Sequence, residues 1–168
     1  AWAWDKTDTK QVAYPGLKEL VYDYDLERLA MKRAAEIALS YEHTRPNGQN
    51  PFTIYTEENI TRLDTGENIA VASPNVYSKA EAVNDGWRED NEPYAGQGHR
   101  RNMLGYKFTC VGVGHVTYNG YDYWVEEFAS RPSINTTETP ANDNEQTVTV
   151  SVTKSWITNY KTYFDQDS

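Results

Sequence analysis

Two strand-like runs, residues 108–118 and 121–128, flank the dipeptide Asn119-Gly120, and this arrangement constrains the chain more than any other feature. Asn-Gly supplies the two positive-φ positions of a type I′ turn, whose twist matches that of paired strands, so the segment reads as an antiparallel hairpin. A two-residue turn fixes the register: Val116 opposite Tyr123, Gly114 opposite Val125, Gly112 opposite Glu127. Strand side chains alternate between faces, so Gly112 and Gly114 leave one face shallow enough for a helix or a ligand to approach closely. Val111, Val113 and His115 then share the other face with Trp124, Glu126 and Phe128. His115, beside Trp124, reads as a packed or rim histidine. Cys110 lies in the apolar run Phe108-Thr-Cys-Val-Gly-Val and reads as a buried structural thiol. As the single cysteine it cannot form an internal disulfide.

A long helix is expected from Asp25 onward, with Asp25 as its cap. Leu26, Leu29, Ala30, Arg33, Ala34, Ile37, Ala38 and Tyr41 recur at helical spacing, and Ala34, Ala35 and Ala38 keep one side narrow for packing on a sheet. Residues 42–72 read as loop and short irregular pieces, punctuated by Pro46-Asn-Gly48 and Asn50-Pro51. Ser78-Lys-Ala-Glu81 has the capping-box spacing and predicts a second helix through Val83 to Trp87, broken before Pro93. Residues 1–16 carry no clear periodicity and end in a Pro15-Gly16 turn.

The chain of 168 residues suits one domain, expected over 1–131. Composition shifts toward Thr, Asn and acidic residues after Arg131-Pro132, so residues 132–168 read as an extension: a linker with an added edge strand at 146–152, or the stub of a following module. Net charge of −9 argues against nucleic acid, whose binding depends on cationic contacts to phosphate. No apolar run reaches eighteen residues, so no membrane span is expected. The start at Ala1, without Met or a leader pattern, looks like a processed or trimmed chain. The 13 Tyr and 5 Trp fit a core as well as a half-wet groove.

Three segments carry a resemblance in their order and spacing. They are His43-Thr-Arg-Pro-Asn-Gly48, Gly66-Glu-Asn-Ile-Ala70, and Gly98-His-Arg-Arg-Asn-Met-Leu104 followed by Val111-Gly-Val-Gly114 and Trp124-Val-Glu-Glu-Phe128. Together they resemble the CAP superfamily of cysteine-rich secretory, antigen-5 and pathogenesis-related-1 proteins, in its disulfide-free bacterial branch, over roughly residues 17–130. The resemblance implies an α+β fold: a three-layer α/β/α sandwich with a mainly antiparallel central sheet and a groove holding two histidines and two acids. Carried over by motif, these are His43, Glu67 and His99. For the fourth, counting three residues on from Trp87 gives Asp90, with Glu89 as its competitor. The resemblance also implies a secreted or cell-surface location.

Two imidazoles and two carboxylates suit a divalent metal such as Zn²⁺, with His43 and His99 as ligands. The same groups suit general acid–base work, each carboxylate fixing an imidazole tautomer. A third reading is a purely structural hydrogen-bond network. The functions that follow are a groove binding a small apolar, glycan or protein ligand, or a metal- or His-dependent extracellular hydrolase. Arg45, Arg100 and Arg101 are expected to pin loops to acids rather than to bind an anion. The Asn59-Ile-Thr61 and Asn135-Thr-Thr137 glycosylation patterns read as coincidence.

Overall fold

The computed structural model describes residues 1–76 and 79–138. In chain order these form β1 (Trp2–Trp4), β2 (Gln11–Ala13), β3 (Val21–Tyr22), α1 (Tyr24–Leu39), α2 (Thr53–Glu57), β4 (Thr65–Ala72), α3 (Ala80–Arg88), a 3-10 turn Tyr94–Gly96, α4 (Gly98–Met103), β5 (Cys110–Tyr118) and β6 (Tyr121–Ala129). The predicted hairpin is the centre of the molecule. β5 and β6 pair with Gly112 against Glu127, Gly114 against Val125 and Val116 against Tyr123. Asn119 and Gly120 take the positive φ values the turn requires, 49° and 77°. β4 pairs antiparallel with the other side of β6, and β3 lies parallel to the start of β5, giving the sheet order β3-β5-β6-β4. β1 and β2 form a separate two-stranded hairpin.

The shallow glycine face is filled by α1. A Cβ at Gly112 would lie 2.2 Å from the Glu27 nitrogen, and one at Gly114 2.3 Å from the Ala30 carbonyl, so only glycine admits the helix at this distance. Leu26 and Leu29 pack there with Ile54, Tyr55 and Cys110; Ala30, Ala34 and Ile37 pack on Ile69, Tyr123 and Val125. On the opposite face Ala70 and Trp124 meet Val83 and Trp87 of α3, with Met103 of α4 alongside. Helix, sheet and helix thus make three layers, the α/β/α sandwich expected. No helix among the described residues is long and apolar enough to cross a membrane.

Local readings shift in several places. The cap of α1 is Asp23, whose carboxylate accepts from the Asp25 and Leu26 amides at 2.9 and 3.4 Å; Asp25 sits in the first turn and pairs with Arg131 and Asn135. Residues 42–72 are not all loop, since they hold α2 and β4. β4 is covered on both faces, so it shows no polar–apolar alternation, and Gly66-Glu67-Asn68 is poor strand sequence by propensity. Ser78 lies outside the described residues, and α3 opens at Ala80 with Lys79 making no side-chain cap bond. The edge strand expected at 146–152 also lies outside them. Packing continues past Arg131, because Ile134 rests on the Leu26–Leu29 cluster.

Candidate functional site

The chain leaves α1 at Ser40 and turns through His43, whose Nδ1 lies 2.9 Å from Glu67 Oε1 on β4. Glu67 is itself held by Arg33 of α1, Nε to Oε2 at 2.8 Å and a second guanidinium nitrogen to Oε1 at 3.1 Å. Arg33 also reaches Glu36 at 2.8 Å, and Arg45 grips Glu36 through Nε and a terminal nitrogen at 3.0 and 2.9 Å. These side chains are buried; only His43 emerges, its side chain 56% exposed against 1% for Glu67. Behind Glu67, directly across the strand pair, stands fully buried Glu127, whose Oε2 is 3.1 Å from the Tyr55 hydroxyl.

Burial would push Glu67 up, but hydrogen bonds from Glu127, His43 and Arg33 outweigh it and bring the carboxyl down to about 2. Glu127 moves the other way, well above the ordinary carboxyl range, because it is buried and faces the Glu67 charge. One acid is therefore an anion and the other neutral. An ionised Glu67 can only accept, so His43 donates to it from Nδ1 and Nε2 is left outside that bond.

The second pair is His99 with Glu89, Nδ1 to Oε2 at 3.0 Å, while Glu89 Oε1 accepts the Arg100 amide at 3.0 Å. Glu89, not Asp90, is the acid that meets a histidine. α3 ends at Arg88, and Glu89 takes left-handed backbone at φ 49°, ψ 39°, so the acid facing His99 comes one residue earlier than the motif count from Trp87 gives. Asp90 turns instead to Arg88 and Arg100, at 2.9 and 2.5 Å. The two pairs are joined through amides. Asn102 Nδ2 donates to the Glu67 carbonyl and to Asn68 Oδ1, and Asn68 Nδ2 donates to the His99 carbonyl. Asn68 also donates to Glu126 Oε2 at 3.1 Å, and burial pushes that acid up to about 7.

Beside the first pair an open cleft of ≈ 460 Å³ is lined by His43, Asn50, Pro51, Phe52, Glu67 and Asn102, among others. Asn102 lies three residues after His99 on α4, so the two share a helix face. Among the described residues no three His, Cys, Asp or Glu side chains converge as metal donors. Cys110 is buried beneath α1 with its thiol raised to about 11, chiefly by burial.

Arg45, Arg100 and Arg101 tie loops, Arg45 to Glu36 and Glu57, Arg100 to the Trp2 carbonyl and Asp90, Arg101 to Tyr94. His115 stacks on Trp124 at 4.0 Å and pairs with Asp122 at 2.7 Å. Sequence reasoning missed Glu36 and Glu127 as supports of the site and read Arg33 only as a stripe position. The available signal was a charged side chain recurring inside an otherwise apolar helical stripe, three residues before Glu36.

Fold and site together define a sandwich domain carrying two carboxylate-held histidines. The profile of the "CAP: Cysteine-rich secretory protein family" matches residues 13–128, and the chain belongs to that family. It is 28% identical over 118 residues to the Bacillus subtilis (strain 168) protein YkwD, covering 69% of this chain and 41% of that protein. Its fold is similar to that of an extracellular SCP-domain protein from Bacillus anthracis str. Ames (24% identity, TM-score 0.55, 68% of this chain and 35% of that one). It is also similar to that of an outer surface protein from Borrelia burgdorferi (20% identity, TM-score 0.55, 68% and 80%). The chain thus spans under half the length of the two Bacillus proteins.

Proposed function

We propose that this domain acts outside the cytoplasm as a binding module, and that His43 and the cleft beside it take a small ligand. The carrying observation is the meeting, in one open cleft, of the aromatic and proline wall of Phe52 and Pro51 with an imidazole preset by a buried anion. Such a surface suits a ligand with one apolar face and a polar group to meet the imidazole: a glycan fragment or a peptide segment of a partner protein. The extracellular placement draws on the similar bacterial proteins, one described as extracellular and one as an outer surface protein.

A panel of soluble glycans and peptides, followed by the His43 imidazole signal in NMR, tests this reading. Binding at least tenfold weaker in a folded His43→Ala, His99→Ala variant is expected; unchanged affinity sinks the proposal. A divalent cation, Zn²⁺ among them, is the alternative ligand, with His43 and His99 as the residues that would hold it. Titration calorimetry of Zn²⁺ into chelator-treated protein separates the cases: stoichiometric binding lost in the double variant means a metal site, and no binding means a metal-free groove. A hydrolytic reading rests on the same carboxylate-oriented imidazoles, which is general-base geometry. Its test is turnover of peptide, ester or glycan substrates that His99→Ala abolishes.

A further inference from the structure

The two histidine–glutamate pairs are fixed from different directions, and the second depends on a part of the chain that the family match leaves out. That match begins at residue 13, whereas the β1–β2 hairpin occupies Trp2 to Ala13. We infer that Gln97, clamped by this hairpin, is a positioning residue that sets Glu89 and His99.

Gln97 is fully buried, and both ends of its amide are used. Its Oε1 accepts the Trp4 backbone N–H at 2.7 Å, and its Nε2 donates to the Glu89 carbonyl at 3.1 Å. An amide with opposite partners at its two ends has one orientation only, so the hairpin backbone and Glu89 are held in register through it. The Gln97 carbonyl also accepts the Arg101 amide at 3.0 Å, which starts the helix carrying His99. Glu89 needs such holding. At φ 49° it occupies a backbone region that residues with side chains enter only at a cost.

Further contacts secure the hairpin on the same segment. Arg100 donates Nε to the Trp2 carbonyl at 2.7 Å and lays its guanidinium over the Trp2 ring at 4.8 Å. Asp8 Oδ1, from the β1–β2 turn, accepts the Tyr94 amide at 2.5 Å. Ala3 is buried between these points. Bonds from β1 and the β1–β2 turn thus converge on residues 94–100, bracketing His99. His43 and Glu67 are instead held from α1 by Arg33. The second half of the site is therefore conditional on the N-terminal hairpin and the first half is not.

This inference uses the site of the proposed function but not any ligand, so its test is a measurement on the free protein. In the full chain with ¹⁵N-labelled histidine, the imidazole signals of His99 and His43 are followed together with exchange of the Arg100 amide, which is bonded to Glu89. Gln97→Met keeps the volume and removes both bonds; it is expected to move the His99 signals, to speed Arg100 exchange about tenfold or more, and to leave His43 unmoved. Gln97→Glu keeps the acceptor for Trp4 but cannot donate to Glu89. It is expected to move His99 while the Trp4 amide stays protected. Trp2→Ala loosens the clamp without touching Gln97 and decides the matter if the Gln97 variants do not fold; a smaller His99 change of the same kind is expected. Unchanged His99 and Arg100 signals in the folded variants, or a His43 change as large as that of His99, overturns the inference. Failure of ligand binding with these results intact would count against the proposed function alone.

Discussion

Both imidazoles meet their carboxylates through Nδ1, at 2.9 Å for His43–Glu67 and 3.0 Å for His99–Glu89, yet the two acids are held by different means. Glu67 stands on β4 of the central sheet, and its charge is answered by a buried guanidinium from α1. Glu89 stands on the turn after a helix, its carboxylate answered by a backbone amide and its main chain by Gln97. Each pair also has an acid of β6 near it. Glu127 lies behind Glu67, and Glu126 is linked to the His99 segment through Asn68. The same side-chain geometry can thus be built from charge in one place and from backbone in another. The two constructions should fail differently.

The largest effect should come from the charged construction. Arg33→Met strands Glu67 without its guanidinium, while Glu36 keeps Arg45, and breaking a buried pair from one side costs about 3–5 kcal/mol. Urea denaturation should show that loss, with the His43 signals moved and those of His99 little changed. Glu67→Gln comes next. Its carboxyl is held at about 2 in the fold against an ordinary 4.5, so its stabilisation is present above the unfolded value and lost as pH falls from about 4.5 through about 2. The variant should be less stable than the parent at pH 7 and lack the acid-side fall that the parent shows between those limits.

Glu126→Gln should act with the opposite sign. Its folded value of about 7 lies above the ordinary 4.5, so the group's contribution is complete below about 4.5 and declines as pH rises through 7. Glutamine keeps an acceptor for Asn68 and removes the buried ionisation. The variant should be more stable than the parent by about 3 kcal/mol at pH 8, with little difference at pH 4. A thermal scan at the two pH values checks this, and an equal gain at both would refute it.

What the sequence revealed follows the same division. The hairpin, its register and the glycine face were legible because turn chemistry and strand alternation are local. His43, Glu67 and His99 were legible because each sits inside a short motif of fixed wording. β4 was not, since a strand covered on both faces loses its alternation, and Arg33 and Glu36 look from sequence like ordinary helix charges. Glu127 becomes visible as a partner of Glu67 only once β4 and β6 are paired. The β1–β2 hairpin has no periodicity to read, and what secures it lies some ninety residues away at Gln97 and Arg100.

The smallest expected effect separates Glu89 from Asp90. Adjacent acids look interchangeable in sequence, and only the left-handed backbone at Glu89 decides which one faces His99. Asp90 is 40% exposed in its pairs with Arg88 and Arg100, so Asp90→Asn should change stability by about 0.5 kcal/mol or less. Glu89→Gly should also be mild in stability, within about 1 kcal/mol, because glycine relieves the positive φ while the carboxylate's bonds are lost. The imidazole spectrum distinguishes what stability cannot. His99 should move in Glu89→Gly and stay in place in Asp90→Asn, whereas the reverse pattern would assign the histidine to Asp90 and restore the motif count from Trp87.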